Sequence, residues 1–164
     1  MNRFAWLGLL ALYAGLASAQ GLPVLDPADG TVFPAERART LLYQCSRVVP
    51  QNVEGTWTPS ASQIGELEAR LPAALKQTES AAGRKRKAPA HYDRQYGGIV
   101  VTGRKIVYVN TYPHVPAAAP GSAAGKNPWR TEAFAVCDGG TDFWGVEYDP
   151  ETKTFAHFSF NGPR

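Results

Sequence analysis

From Phe143 to Phe160, apolar and polar side chains alternate on either side of the polar segment Asp149-Pro150-Glu151-Thr152-Lys153. Successive side chains of a strand point to opposite faces, so the alternation predicts a half-buried β-hairpin. Proline and the acidic residues between the runs supply turn chemistry. Pairing Tyr148 with Thr154 leaves a five-residue loop and sets Val146 opposite Ala156 and Trp144 opposite Phe158. Trp144, Val146, Tyr148, Ala156, Phe158 and Phe160 then share one face, with Phe143, Glu147, His157 and Ser159 on the other. A slip by one residue would oppose Trp144 to Ser159 and scatter the apolar set. Each ring buried on that face contributes roughly 1.5–3 kcal/mol.

A second hairpin is predicted over Tyr96–Tyr112, with Gly103-Arg104 as a two-residue turn that has glycine first. Val101 then pairs with Ile106 and Ile99 with Tyr108. Both faces of this hairpin are apolar, which suits central strands covered on both sides, or one face left for a partner. Upstream, Pro34 to Ser46 reads as a helix whose stripe is Ala38, Leu41, Leu42 and Cys45. Val48 to Gly55 reads as loop. Ser60 and Gln63 form a capping box that opens a second helix, with Ile64, Leu67, Leu71 and Leu75 as its apolar stripe. Pro72 interrupts that stripe and predicts a kink or a restart. Thr131 to Val136 reads as a strand leading into Cys137.

This order predicts an α+β domain: two N-terminal helices packed on a four- to five-stranded antiparallel sheet. The first shape to draw is a sheet curled round one helix, analogous to the cystatin-like two-layer arrangement. The domain is expected to span residues 33–164, with flexible loops at 79–90 and 113–128 and an irregular lead-in at 20–32. Residues 1–19 have the pattern of a signal peptide: Arg3 in a positive head, an apolar run from Phe4 to Leu16, and Ala17-Ser18-Ala19 before the expected cleavage at Gln20. The mature chain is therefore expected to be periplasmic or extracellular. Two cysteines, Cys45 and Cys137, remain in it. An oxidising compartment favours a disulfide, which would close a loop of about 90 residues and contribute roughly 4 kcal/mol by chain entropy.

Charge adds one feature. The formal charge is +3 for the whole chain, but Arg84, Lys85, Arg86 and Lys87 are consecutive. Such a run attracts polyanions such as lipid headgroups or acidic envelope polymers. No aromatic residue interleaves it, so nucleic acid is not an expected partner. Catalytic signatures are missing: there is no G-x-S-x-G, H-E-x-x-H, P-loop or dinucleotide fingerprint. His157 could meet Asp142 or Glu147 across the hairpin, an arrangement that orients an imidazole for general-base work. Asp138 and Asp142 flank a glycine turn but fall short of the six or more oxygens calcium takes. No cofactor or metal is expected.

The reading that follows is a small exported, disulfide-containing binding domain, non-catalytic, with an unknown protein partner or an envelope polyanion. An envelope interaction module and an inhibitor of a secreted enzyme are its concrete forms. Its binding candidates are Arg84, Lys85, Arg86, Lys87, Trp144 and His157. The rivals are a hydrolase using His157 with Asp138 or Asp142, and a polyanion binder working through Arg84–Lys87.

Overall fold

A computed structural model describes residues 30–82, 92–114 and 128–162. The expected signal peptide, nearly all of the lead-in, the basic run Arg84–Lys87, His91 and most of the 113–128 loop lie outside the described residues. The described chain is α+β. Strand β1 (Gly30–Phe33) leads into a single helical turn, α1 (Ala35–Ala38), which a 3-10 turn extends over Arg39–Leu42. Strand β2 (Val53–Trp57) and the long helix α2 (Ala61–Ala82) follow. Strands β3 (Tyr92–Val101), β4 (Arg104–Pro113), β5 (Trp144–Asp149) and β6 (Thr154–Phe160) complete the sheet.

The sheet is mixed, not antiparallel as expected. Strand β1 runs parallel to β3, from Gly30 opposite Arg94 to Phe33 opposite Gly97. Strand β2 runs antiparallel along the remainder of the same edge, from Val53 opposite Val101 to Trp57 opposite Gly98. From β3 the sheet continues through β4, β5 and β6 by antiparallel pairs. Both edge strands are four or five residues long and fall in the stretches read as lead-in and loop. Strands so short carry no readable alternation.

Nor do two helices open the domain together. The first expected helix ends at Leu42, not Ser46, and β2 separates it from α2. Gln44 Nε2 donates to the Leu41 carbonyl at 3.1 Å, the acceptor a continuing helix would have offered to the Cys45 N–H. By contrast, α2 keeps its expected start. The Ser60 N–H donates to Gln63 Oε1 at 2.9 Å and the Gln63 N–H returns to Ser60 Oγ at 3.3 Å. The helix runs through Pro72 as one 22-residue element. The lost bond to the Glu68 carbonyl is tolerated because Leu67, Leu71 and Leu75, on both sides of the proline, are buried together.

Both faces of the sheet are covered. On one, Leu67, Leu71 and Leu75 of α2 pack on Tyr92, Tyr96, Val107, Val109, Trp144, Val146 and Tyr148. On the other, Phe33 and Leu41 pack on Ile99, Ile106 and Tyr108. The two-sided apolarity of the β3–β4 hairpin therefore reflects a central position. Its turn is Thr102-Gly103, one residue earlier than expected, with φ of 49° and 73°. Two consecutive left-handed residues make a type I′ turn, whose twist matches the strands. Gly97 lets the second layer close in, since a Cβ there would lie 2.8 Å from Leu41 Cδ1; a Cβ on Gly98 would instead run into Trp57, its pairing partner on β2.

Candidate binding groove

Strands β5 and β6 pair differently from the expected register, and the difference builds a site. Tyr148 faces Phe155 and Trp144 faces Phe160, while Glu147 faces Ala156 and Gly145 faces Ser159. Val146 is thus opposed by both His157 and Phe158, a β-bulge, with His157 at φ 53°. The bulge resolves a conflict in the sequence. With strict alternation Phe155 and Phe158 would lie on opposite faces; one extra residue between them turns both toward the α2 side, where they pack with Phe160 on the core. The loop shortens to Pro150–Lys153. There the Asp149 carboxylate accepts from the Glu151 and Thr152 N–H groups at 2.8 and 3.0 Å.

The bulge throws the His157 side chain out of the strand. It is 75% exposed, and its Nδ1 lies 3.0 Å from Glu147 Oε1, a carboxylate itself only 14% exposed. Asp138 and Asp142 do not contact His157; its ring partner is Glu147. Nε2 has no partner among the described residues. His157 and Glu147, with Phe158 and Ser159, form one side of a groove of about 430 Å³. Val48, Val49, Pro50 and Gln51 form the opposite side, and Val101 and Tyr108 also line it.

Behind Tyr108 sits a buried arginine. Arg47 donates from Nε to the Tyr108 hydroxyl at 3.2 Å and from a terminal nitrogen to Asn161 Oδ1 at 3.3 Å. Its other terminal nitrogen donates to Asn110 Oδ1. All three acceptors are neutral, although the residue is only 9% exposed. Burial pushes the Arg47 pKa down, opposed only in part by Tyr108. Burial pushes the Tyr108 phenol up; Arg47 pulls it back and Glu147 adds to the rise. The Tyr108 hydroxyl accepts from Arg47, and its own proton meets no acceptor among the described residues.

Side-chain amides hold this layer together. Asn110 Nδ2 donates to Gln95 Oε1 at 2.8 Å and to the Phe134 carbonyl at 2.7 Å. Gln95 Nε2 donates to the Trp129 and Glu132 carbonyls, and its Oε1 accepts from the Phe134 N–H at 2.9 Å. Asn161 Nδ2 donates to the Val136 carbonyl. The segment Thr131–Val136, expected as a strand, is therefore anchored by side chains and joins no ladder. The Cys45–Cys137 disulfide, with Cα atoms 5.3 Å apart, ties the same layer to the groove. Beside it Gly162 N–H donates to the Ser46 carbonyl at 3.1 Å. Arg47 and the Val48–Gln51 wall thus continue directly from a cross-linked anchor.

Of the sequence candidates, His157 stands in the groove. Trp144 does not: it is 0% exposed, packed edge-on to Tyr92 and against Phe158, and serves the core. Arg84, Lys85, Arg86 and Lys87 lie outside the described residues. Among the described residues no group of three or more His, Cys, Asp and Glu side chains is placed to hold a metal ion. Arg47 and Tyr108 escaped the sequence reading, because one lies in a loop and the other looked like any apolar strand position. No family model, curated protein or solved structure matches the chain.

Proposed function

We propose that this chain is a small exported domain that works by binding a protein partner of the envelope or the secreted fraction, and that the groove between Val48–Gln51 and His157–Ser159 is its contact surface. The observation that carries the reading is the exposed apolar wall. Val48 is 76% exposed and Tyr43, nearby in the chain, 71%, yet the wall continues from a disulfide. An apolar lip on a rigid anchor, set opposite a few polar groups, has the character of a recognition site. Export is supported by the signal-like residues 1–19 and by the disulfide. Among the described residues no helix is long and apolar enough to cross a membrane.

Crosslinking in the native envelope, comparing the wild-type chain with Val48→Asp, tests the reading. A partner captured by the wild type should be lost from the variant while the thermal midpoint stays within a few degrees. Equal capture by both chains would remove the groove from the interface. The basic run Arg84–Lys87 offers a separate contact with polyanions. Retention on heparin should fall when those residues are made neutral.

The His157–Glu147 pair favours one rival, a hydrolase with His157 as general base. A turnover abolished by His157→Ala in a folded chain would establish it.

A further inference from the structure

We propose that the Cys45–Cys137 disulfide is a site of thiol–disulfide exchange, opened by an exported protein with a Cys-x-x-Cys dithiol that docks on Tyr43 and Val48. The inference rests on the binding reading above and names the chemistry of the partner. Three observations lead to it.

First, the cross-link is accessible. Cys45 and Cys137 are both exposed, and each stands in a turn or bend that joins no ladder. Exchange requires a thiolate to reach one of the two sulfurs, and exposed disulfides are the labile ones. Second, the surroundings suit a protein. Among the described residues Tyr43, 71% exposed, and Val48, 76% exposed, are the most open of the large apolar side chains. They flank Cys45, two residues before it and three after. An apolar rim beside a reachable sulfur fits a macromolecular thiol better than a small polar one.

Third, charge selects the sulfur. The stretch around Cys137 has Glu132, Asp138 and Asp142 and no basic residue from Thr131 to Phe143. The stretch around Cys45 has Arg39 and Arg47 and no acidic residue from Arg37 to Val53. A thiolate is repelled by the first and drawn to the second, so attack falls on Cys45 Sγ. The partner's first cysteine bonds to Cys45 Sγ as the Cys45–Cys137 bond breaks. The electron pair of that bond leaves on Cys137 Sγ, which takes a proton from water. The partner's second cysteine then displaces Cys45 from the mixed disulfide. The partner's dithiol is thereby oxidised to a disulfide, and Cys45 and Cys137 are reduced to thiols.

Opening the cross-link leaves the layer attached. The Gly162 N–H still donates to the Ser46 carbonyl at 3.1 Å, and Gln44 Nε2 to the Phe134 carbonyl at 3.2 Å. The Val48–Gln51 wall then depends on hydrogen bonds alone, so exchange sets how firmly the groove is held.

The experiment treats the folded chain, without denaturant, with reduced thioredoxin as a dithiol-protein probe and with dithiothreitol at equal thiol concentration. Free thiols are followed by alkylation and mass spectrometry. Both reagents should open the disulfide, thioredoxin roughly tenfold faster. Val48→Asp and Tyr43→Asp should each remove that advantage and leave the dithiothreitol rate unchanged. Thioredoxin whose second active-site cysteine is replaced by serine should be trapped on Cys45. Trapping on Cys137 would overturn the assignment of the attacked sulfur. Equal rates for the two reagents, or an advantage that survives both variants, would overturn the docking surface. Opening only in urea that unfolds the chain would overturn exchange altogether. Partner capture that still depends on Val48 would then leave the groove reading standing, and Val48-independent capture would remove both.

Discussion

Glu68 carries more of the helix–sheet contact than its exposed neighbours on α2. Its Oε1 lies 3.0 Å from Arg94 Nε and accepts from the Tyr96 hydroxyl at 2.5 Å. Arg94 is 1% exposed and also donates to the Tyr92 carbonyl at 2.7 Å. Burial, followed by Glu68, pushes the Tyr96 phenol well above its ordinary value. Glu68→Ala removes the carboxylate from a buried guanidinium and should cost about 3–5 kcal/mol in urea unfolding. Glu66→Ala, two residues earlier at a solvent-screened ion pair with Arg70 and Lys153, should leave the urea midpoint nearly unchanged. Asp149 supplies a pH dependence. Burial raises its carboxyl, but the Thr152 and Glu151 N–H groups and Arg104 outweigh burial and hold it below the usual range. A depressed folded pKa contributes stability that is fully present above the unfolded value, about 3.9, and is lost as pH falls through the folded one. The thermal midpoint should therefore fall as acid takes the solution below about pH 4, and Asp149→Asn should flatten that decline.

At the scale of elements, one turn and one bulge hold side chains where backbone geometry disfavours them. Thr102 is β-branched yet has φ 49° at the first corner of a type I′ turn, a position suited to asparagine or glycine. Part of the cost is offset where Glu54 Oε2 accepts from the Gly103 N–H at 2.9 Å. Thr102→Asn keeps the register and should raise stability by about 0.5–1 kcal/mol, read as a higher melting temperature. His157, at φ 53° in the bulge, is the converse case. His157→Val would place a β-branched residue in the left-handed region and should lower stability by about 1–3 kcal/mol. Because histidine tolerates that region better than most residues, the strain at this point coincides with the side chain that faces the groove.

For the whole molecule, the disulfide decides how firmly the second layer sits on the sheet. Cys45 and Cys137 are 92 residues apart. Joining them contributes roughly 4–5 kcal/mol by loop closure. Replacing both by serine should lower stability by that order, and hydrogen exchange at Val48–Gln51 should rise more than exchange in β3 and β4. Equal acceleration everywhere would mean that the cross-link acts only on the unfolded chain. The α2 face has its own anchors in Leu67, Leu71 and Leu75, whereas the opposite layer contains buried Arg47, Gln95, Asn110 and Asn161. That layer depends on fully made hydrogen bonds and a covalent tie, because its apolar share is smaller.

What the sequence determined by itself is local. The capping box at Ser60 and Gln63, the leucine stripe of α2, both hairpins and the Cys45–Cys137 pairing rest on neighbours in the chain or on the chemistry of two thiols. Register was beyond its reach. Thr102-Gly103 and Gly103-Arg104 are both plausible turns, and the choice depends on how Leu41 packs over Gly97 and Trp57 pairs with Gly98. The bulge at His157 follows from the core's demand for Phe155, Phe158 and Phe160 on one side. The parallel pairing of β1, and the meeting of Arg47 with Tyr108 and Asn110, more than 60 residues away in the chain, are decided only by tertiary structure. Side-chain period and turn chemistry act over a few residues. Pairing partners and buried counter-charges are set by what the folded chain brings together.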